Sequence, residues 1–499
     1  MDNNSNTNNN FLFGIITIFV AIGLGSFFIL FTNAKTAFFA TILIMAIAFA
    51  YKYPQYSLWF FLIYLPFGGT ITYAFGDVFN AVGGRVTYSN TDYAIFHFAK
   101  DAFYFPPLIA LTFSGQYLPE LYNKYKPIVW ASIGLLLTSL LTLFFVNALQ
   151  PHPPSEKPFL MGIMGLKILI GYIPLIICGY FLIKNKRNLL IFNRLTSIVI
   201  ITCCSLALIQ YSLLITGVCS GNVGLDAEVI RQPTLQARCF VGGSLLYNPN
   251  LGLLRLPGTF VAPWQWGWFL IAGAFFTYGS KIIETGLKWK ITHWIAMVLL
   301  LITALFSGQR IALILVPIIF LILLIFTETN KKLLPLKLGL IFLITLVIVN
   351  SLGIVSGRID DFIGRWQYSP PNQFIISQFE WILQGKLSLL GNGLGRATSA
   401  ARRLGNIALI ETFYPRLLYE IGIIGTVAFL TLVTIISVTT FKIYQSLQDQ
   451  SLRHFALCLW VFIVFISYNT YYYPLAVDPV AVYYWFIVGI ILALPKIEG

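Results

Sequence analysis

Charge is scarce in this sequence. Only 10% of its 499 residues are Asp, Glu, Lys or Arg, where a soluble globular chain carries roughly 25%. So few charges cannot coat the several soluble domains that this length would suggest, which excludes an ordinary cytosolic enzyme. Acidic residues are scarcer than basic ones, 18 against 32. The resulting net charge of +14 nevertheless sits on a chain too apolar for a nucleic-acid-binding module. Histidine is nearly missing. His97, His152, His293 and His454 stand apart from Cys and carboxylates at metal-ligand spacing, so no metal or other cofactor is expected, and no Ser-His-Asp arrangement is visible. His293 and His454 fall near helix ends and read as interfacial. Of the six cysteines, Cys178, Cys203, Cys204 and Cys458 lie in apolar runs as packing residues. Cys219 and Cys239 share one loop, where an oxidising compartment permits a disulfide that spacing alone does not establish.

Apolar residues fill the space left by charge, at 58% hydrophobic and 16% aromatic. A membrane-crossing helix needs about 20 of them in succession. Candidate spans are 11–31, 35–51, 56–74, 101–115, 127–148, 160–183, 195–217, 261–279, 290–306, 309–327, 334–352, 415–441, 454–472 and 477–495. They predict an all-α polytopic integral membrane protein with about 12–14 transmembrane helices. Pro66, Gly68 and Gly69 interrupt the third span, and Pro106 and Pro107 the fourth. Residues 1–10, MDNNSNTNNN, lack the basic start of a secretory signal and read as a disordered cytoplasmic tail. Residues 11–499 then form a single transmembrane domain.

Lysine-rich breaks fall in alternate connections, at Lys124/Lys126, Lys184/Lys186/Arg187/Arg194, Lys281/Lys288/Lys290, Lys331/Lys332/Lys337 and Lys442/Arg453. The positive-inside preference places all of them, with both termini, on the cytoplasmic side. The opposite side receives the connections 75–100, 149–159, 218–260 and 353–414, the last two far longer than a helix hairpin requires. Sorting the basic residues by side separates two populations: 13 lysines and three arginines inside, five lysines and 11 arginines elsewhere. Lysine suffices to orient a chain. Arginine grips phosphate or carboxylate through a planar fork and stays charged when partly desolvated. An anion site at the outer face is therefore the functional expectation, and pairing with outer acids or lipid head groups its bland counterpart.

Four segments carry candidate chemistry. Arg255-Leu-Pro-Gly-Thr-Phe260 leads from the first long loop into a helix through Trp264, Trp266 and Trp268, whose plainest role is an interfacial aromatic belt. Phe306-Ser-Gly-Gln-Arg310 makes a tight turn, with Arg310 at a helix N-terminus where an anion is favoured. Loop 353–414 holds Arg358, Asp360, Asp361, Arg365 and Trp366, then Gly391-Asn-Gly-Leu-Gly-Arg396. No Lys-Ser/Thr follows that glycine run, so it reads as a flexible turn delivering Arg396 rather than a phosphate cradle. The fourth segment, Glu411-Thr-Phe-Tyr-Pro-Arg416-Leu-Leu-Tyr-Glu420-Ile-Gly422, puts Pro415 at the first position of a helix. Arg416 and Glu420, four residues apart, pair on one face, and Gly422 and Gly425 permit close packing. A carboxylate held by arginines there is an acid/base candidate or a structural partner to them.

These last segments resemble the O-antigen ligase and O-antigen polymerase superfamily of bacterial polysaccharide assembly, over roughly residues 160–440. Arg255 to Phe260 matches its Arg–x–x–Gly–Thr–Phe-like segment, and Ser307, Arg310 and Ala312 loosely match its Ser-Arg-Gly/Ala turn. Glu420, Gly422 and Gly425 match its Glu-x-Gly-x-x-Gly ending, while Glu411 stands where the family usually has a histidine of the proposed catalytic apparatus. The resemblance implies a scaffold similar to integral-membrane (C-type) glycosyltransferases. It also implies transfer of a glycan from an undecaprenyl-pyrophosphate carrier to an acceptor sugar hydroxyl, at the outer face of the bacterial cytoplasmic membrane and without metal.

On that basis Arg255, Arg310, Arg358, Arg365, Arg396, Arg416 and Glu420 are expected to bind substrate. Glu411 is the expected base, with Asp360 and Asp361 in reserve. Tyr471–Tyr473 and Trp366 are candidates to stack on sugars or to anchor at the interface. Partners would be the polyprenyl-pyrophosphate-linked glycan, an acceptor glycan, membrane lipids and other polysaccharide assembly proteins, with no nucleic acid. The histidine's absence leans the expectation toward polymerisation over ligation. It also keeps a non-catalytic assembly subunit in play. A transporter, either a lipid-linked oligosaccharide flippase or a small-anion carrier, is the competing class, although Lys167 is the one clear basic residue within a span.

Overall fold

A computed structural model describes residues 17–24, 26–27, 34–75, 92–113, 117–339, 363–364, 366–367, 370–385 and 387–498. Its helices in chain order are α1 (Ala34–Lys52), α2 (Pro54–Tyr64), α3 (Asp92–Phe113), α4 (Tyr117–Lys124), α5 (Lys126–Thr142), α6 (Pro158–Ile170), α7 (Leu175–Leu182) and α8 (Lys186–Ile215). There follow α9 (Pro263–Ile283), α10 (Leu287–Phe306), α11 (Arg310–Thr327), α12 (Pro371–Leu383), α13 (Phe413–Ser446), α14 (Gln450–Tyr468) and α15 (Val480–Glu498). One antiparallel hairpin, β1 (Leu246–Asn248) with β2 (Leu253–Arg255), pairs Leu246 with Arg255. Eight segments among the described residues are long and apolar enough to cross a membrane: Lys126–Ala148, Pro158–Leu182, α8, α10, α11, α13, α14 and α15. The chain is thus an all-α, multi-pass membrane protein. Expected spans 11–31 and 334–352 lie partly outside the described residues, and the 1–10 tail wholly so.

The chain divides into two compact units, Met1–Leu118 with Ser205–Trp266, and Pro119–Cys204 with Gly267–Gly499. In the first, the interruption of the third span has a purpose. The helix gives way to a 3-10 turn at Leu65–Phe67 and a π turn at Thr70–Phe75. Between them, Gly69 and Thr70 donate backbone N–H to the Thr259 carbonyl at 3.0 and 3.1 Å, and the Thr259 hydroxyl donates to the Pro66 carbonyl at 2.6 Å. A Cβ on Gly69 would fall 2.1 Å from the Phe260 carbonyl oxygen. The Gly-Thr-Phe part of the Arg255 motif is therefore a packing joint. Gly258 lies under the Trp266 indole, where a Cβ would sit 2.6 Å away. Trp266 and Trp268 are buried and only Trp264, 45% exposed, is open as a belt residue must be; the belt expectation fails for the other two.

The loop before that joint is closed by a Cys219–Cys239 disulfide over a sequence separation of 20. Leu214, Cys239, Leu245, Leu254 and Leu256 pack into a small core beside it. Closing a loop of this length removes roughly 3 kcal/mol of unfolded-chain entropy. Reducing the bond should therefore expose residues 219–256 to limited proteolysis before the helices, read by the sizes of the first fragments.

In the second unit α15 is central: 83% of its most apolar stretch is buried, against 28% for α11. It crosses α7 at two glycines. A Cβ on Gly179 would lie 2.2 Å from the Phe486 carbonyl oxygen, and one on Gly489 2.2 Å from that of Ile176. At the lysine-bearing end, Lys496 pairs with Glu120 at 2.7 Å and Lys186 with Asp449 at 3.3 Å. A deeper cluster lies on the same side. Arg194 grips Glu284 through Nε and Nη2 at 2.8 and 2.9 Å, and His293 Nδ1 lies 2.7 Å from the Ser197 hydroxyl. His293 is fully buried, not interfacial, because α10 starts six residues before it and carries it inside the packed bundle.

Candidate functional site

The candidate residues of the second unit gather around a break in α13. Gly422 has φ 67° and ψ −166°, a region essentially restricted to glycine. It separates a short half, 413–421, from a long one, 423–446. Helix ends inside a membrane leave N–H and C=O groups that need partners. The turn 388–393 supplies them. Asn392 and Gly393 donate to the carbonyls of Tyr419 and Glu420 at 2.7 and 3.2 Å, while Ile423 and Ile424 donate to those of Ser388 and Leu389, each at 3.2 Å. A Cβ on Gly391 would come within 2.5 Å of the Glu420 carbonyl oxygen. The glycine run is thus a wedge of close backbone contacts rather than the flexible turn expected, and Gly422 makes a break rather than a packing surface.

Beyond the wedge the chain reaches the Glu420 carboxylate. Its Oε1 accepts the Ala397 N–H at 2.7 Å and the Thr398 hydroxyl at 3.0 Å. Arg416 Nε lies 3.7 Å from the same oxygen, and its Nη2 donates to Thr398 at 2.5 Å. The i, i+4 pair expected from the sequence therefore forms, buried, with Thr398 as a bridge. The adjoining cavity, lined by Gly165, Leu417 and Trp485 among others, has room for about one water molecule. A pyrophosphate does not fit there, so this pair acts as internal support. Sequence reading missed Asn147. Its side-chain amide donates to the Leu394 carbonyl at 3.0 Å and its side-chain oxygen accepts the Leu394 N–H at 2.9 Å, locking the wedge. An amide within an apolar span was the available signal, since such a group is costly unless bonded.

Arg396 is also committed. It meets Glu156 at 2.6 Å and donates to His152 Nδ1 at 2.8 Å, while His152 Nε2 lies 3.0 Å from the Val146 carbonyl oxygen. Burial alone would raise the Glu156 carboxyl, but the Arg396 hydrogen bond, the Asn406 N–H and the Arg396 charge hold it below its ordinary range.

A second cluster lies where α11 and α13 begin and α14 turns toward α15. Arg310 opens α11. Glu411 lies in the extended segment before α13, with its N–H bonded to the Gln378 side chain at 3.2 Å. Pro415 stands at the third helical position rather than the first, within the turn whose N–H groups have no helical acceptor. Burial raises the Tyr471 hydroxyl, with Tyr472 and the Glu411 charge adding to it and Arg310 opposing. Burial and Glu411 likewise raise Tyr473, with Arg416 opposing. Both phenols therefore remain hydrogen-bond donors at neutral pH. The Arg416 guanidinium lies 5.6 Å from the Tyr473 ring centre. The Glu411 charge thus acts on both phenols, and an arginine opposes it at each.

Arg255 ends β2 in the first unit. Arg358, Arg365, Asp360 and Asp361 lie outside the described residues, and Trp366 is 45% exposed. Among the described residues no three His, Cys, Asp or Glu side chains gather as a metal set would. No family model matches the chain, and no curated protein matches it.

Proposed function

We propose that this chain transfers or polymerises a polyprenyl-pyrophosphate-linked oligosaccharide at the outer face of a bacterial cytoplasmic membrane. The observation that carries the reading is the electrostatic cluster at the start of α13, where the Glu411 charge acts on Tyr471 and Tyr473, Arg310 and Arg416 oppose it, and the Arg416 guanidinium lies 5.6 Å from the Tyr473 ring centre. In the proposed reaction an acceptor sugar hydroxyl attacks the donor's anomeric carbon and gives its proton to Glu411. The bond from that carbon to the pyrophosphate oxygen breaks, and the lipid pyrophosphate leaves with the electron pair. Fixed cations stabilise the charge that develops on that leaving group, a task for Arg310. Arg416, tied to Glu420 and Thr398, holds Tyr473 and the start of α13 in place. The partners are the lipid-linked donor, an acceptor glycan and the surrounding lipids.

Transport draws support from the discontinuous α13, because broken helices present their termini to solutes. Here the flanking backbone groups are bonded to the turn 388–393, which favours the enzyme. The test is chain growth and carrier release from purified undecaprenyl-pyrophosphate oligosaccharide in detergent or nanodiscs. Glu411→Gln should slow turnover by about 10²-fold or more as a lost general base. Arg310→Ala should do the same as a lost electrostatic stabiliser. Undiminished turnover in both variants would sink this mechanism, and a wild-type protein that moves the intact lipid-linked glycan without carrier release would make it a transporter.

A further inference from the structure

We infer that the face formed by Phe374, Tyr471 and Tyr472 beside Glu411 is the subsite for an uncharged acceptor sugar, distinct from the groups that meet the anionic donor. This rests on the reading above and specifies which substrate the phenol-rich end takes. Three observations converge. The rings form one aromatic surface, with Tyr471 and Tyr472 centres 4.5 Å apart and Phe374 at 6.2 and 6.4 Å from them. The C–H face of a pyranose packs on such a surface, and a few placed polar groups then fix its orientation.

Backbone strain is stored at the same place. Tyr472 has φ 54°, a left-handed conformation uncommon for a bulky residue and concentrated at binding sites. Polar groups there also await partners. The Thr412 hydroxyl is fully buried and, like that of Thr470, has no hydrogen-bond partner among the described residues. The two threonines sit together, since Phe413 donates its N–H to the Thr470 carbonyl at 3.0 Å. Thr412 occupies the N-cap position of α13 without capping it, although capping is what threonine ordinarily does there.

Charge then selects the ligand class. The Glu411 carboxylate repels phosphate and carboxylate but accepts a proton from a neutral hydroxyl. Hydroxyls both donate and accept, so a polyol satisfies Glu411, Thr412 and Thr470 together. An anion does not, because Glu411 repels it.

The probe is the carrier-free oligosaccharide freed by mild acid from the cells' own lipid-linked pool, titrated onto the full chain by saturation-transfer NMR. Tyr472→Gly removes the ring and adopts the same backbone without strain, so the chain stays folded; its affinity should fall at least tenfold. Thr412→Val keeps the shape and deletes the hydroxyl. It should weaken the sugar by a similar factor while raising the thermal midpoint of the ligand-free protein, a combination that a purely structural threonine does not give. Wild-type protein that fails to bind the oligosaccharide, or variants that bind it as tightly as wild type, would overturn the inference. Binding as expected with no carrier release from the lipid-linked donor would instead remove the transferase reading and leave the sugar site standing.

Discussion

Gly422→Ala should abolish accumulation of the folded protein. Its φ of 67° and ψ of −166° lie where an L side chain is strained. A Cβ there would also stand 2.3 Å from the Gly391 nitrogen, 2.4 Å from the Leu389 carbonyl oxygen and 2.5 Å from that of Ser388. All three are backbone atoms that no rotamer change relieves. Relaxing the contact means withdrawing the turn 388–393 from the break, which strands the N–H and C=O groups it satisfies at depth in an apolar span. Strain and stranded groups together should cost at least about 4 kcal/mol, a large part of the 5–15 kcal/mol that typically holds a fold. The control is Gly134→Ala on α5, where a Cβ meets nothing within 4 Å. That variant should gain about 0.5–1 kcal/mol by helix propensity. Size-exclusion profiles and thermal midpoints in one detergent check both, and a Gly422→Ala protein with a wild-type midpoint would contradict the structure.

Arg194→Ala should be the second most damaging change, at about 3–5 kcal/mol, because it leaves Glu284 buried without its cation. The Glu284 carboxylate is enclosed; besides the arginine fork, the Thr285 and Gly286 N–H groups serve it, and His293 Nε2 lies 3.9 Å from its Oε2. The hydrogen bond from Arg194 outweighs burial and, with those N–H groups, holds the carboxyl below its ordinary range. A carboxyl depressed on folding adds stability above its unfolded value near pH 4.3, and that contribution disappears as pH falls through the folded value. Wild-type stability should therefore drop on acidification below about pH 4–5. In Arg194→Ala this component should shrink, and Glu284→Gln added to Arg194→Ala should recover part of the loss at pH 7. Denaturation midpoints across pH 3.5–7 would measure it; parallel curves for wild type and Arg194→Ala would refute the linkage.

Hydropathy located the spans because a helix in lipid must be apolar along its whole length, and that requirement is written locally. The expected 127–148, 309–327 and 477–495 correspond to Lys126–Ala148, Arg310–Thr327 and Val480–Glu498. α8 begins nine residues before the expected 195, since Lys186 to Arg194 interrupt hydropathy without interrupting the helix. α12 lay hidden in a segment read as loop, because 13 residues are too few to signal a span. Within the candidate site, Arg416 and Glu420 were legible as a pair because helical spacing alone brings them together. The wedge was not. Nothing local to Gly391 announces that Glu420 and Gly422 will lie against it, or that Asn147, far earlier in the chain, will clamp Leu394. His293 and Trp266 were misplaced for the same reason, since burial within a bundle depends on neighbours that a window of sequence does not contain.

α15 follows in sequence every helix it packs against. The Gly179–Gly489 crossing and the hydrogen bond from the Tyr125 hydroxyl to the Leu492 carbonyl, at 2.8 Å, both await its arrival. During synthesis α5, α7, α13 and α14 therefore stand in the bilayer around a gap shaped for a helix not yet made, and contacts of such long sequence separation form slowly. Lipid or the insertion machinery must fill that gap in the meantime. The biogenesis of this protein is decided at its keystone, a helix delivered after the neighbours that close on it.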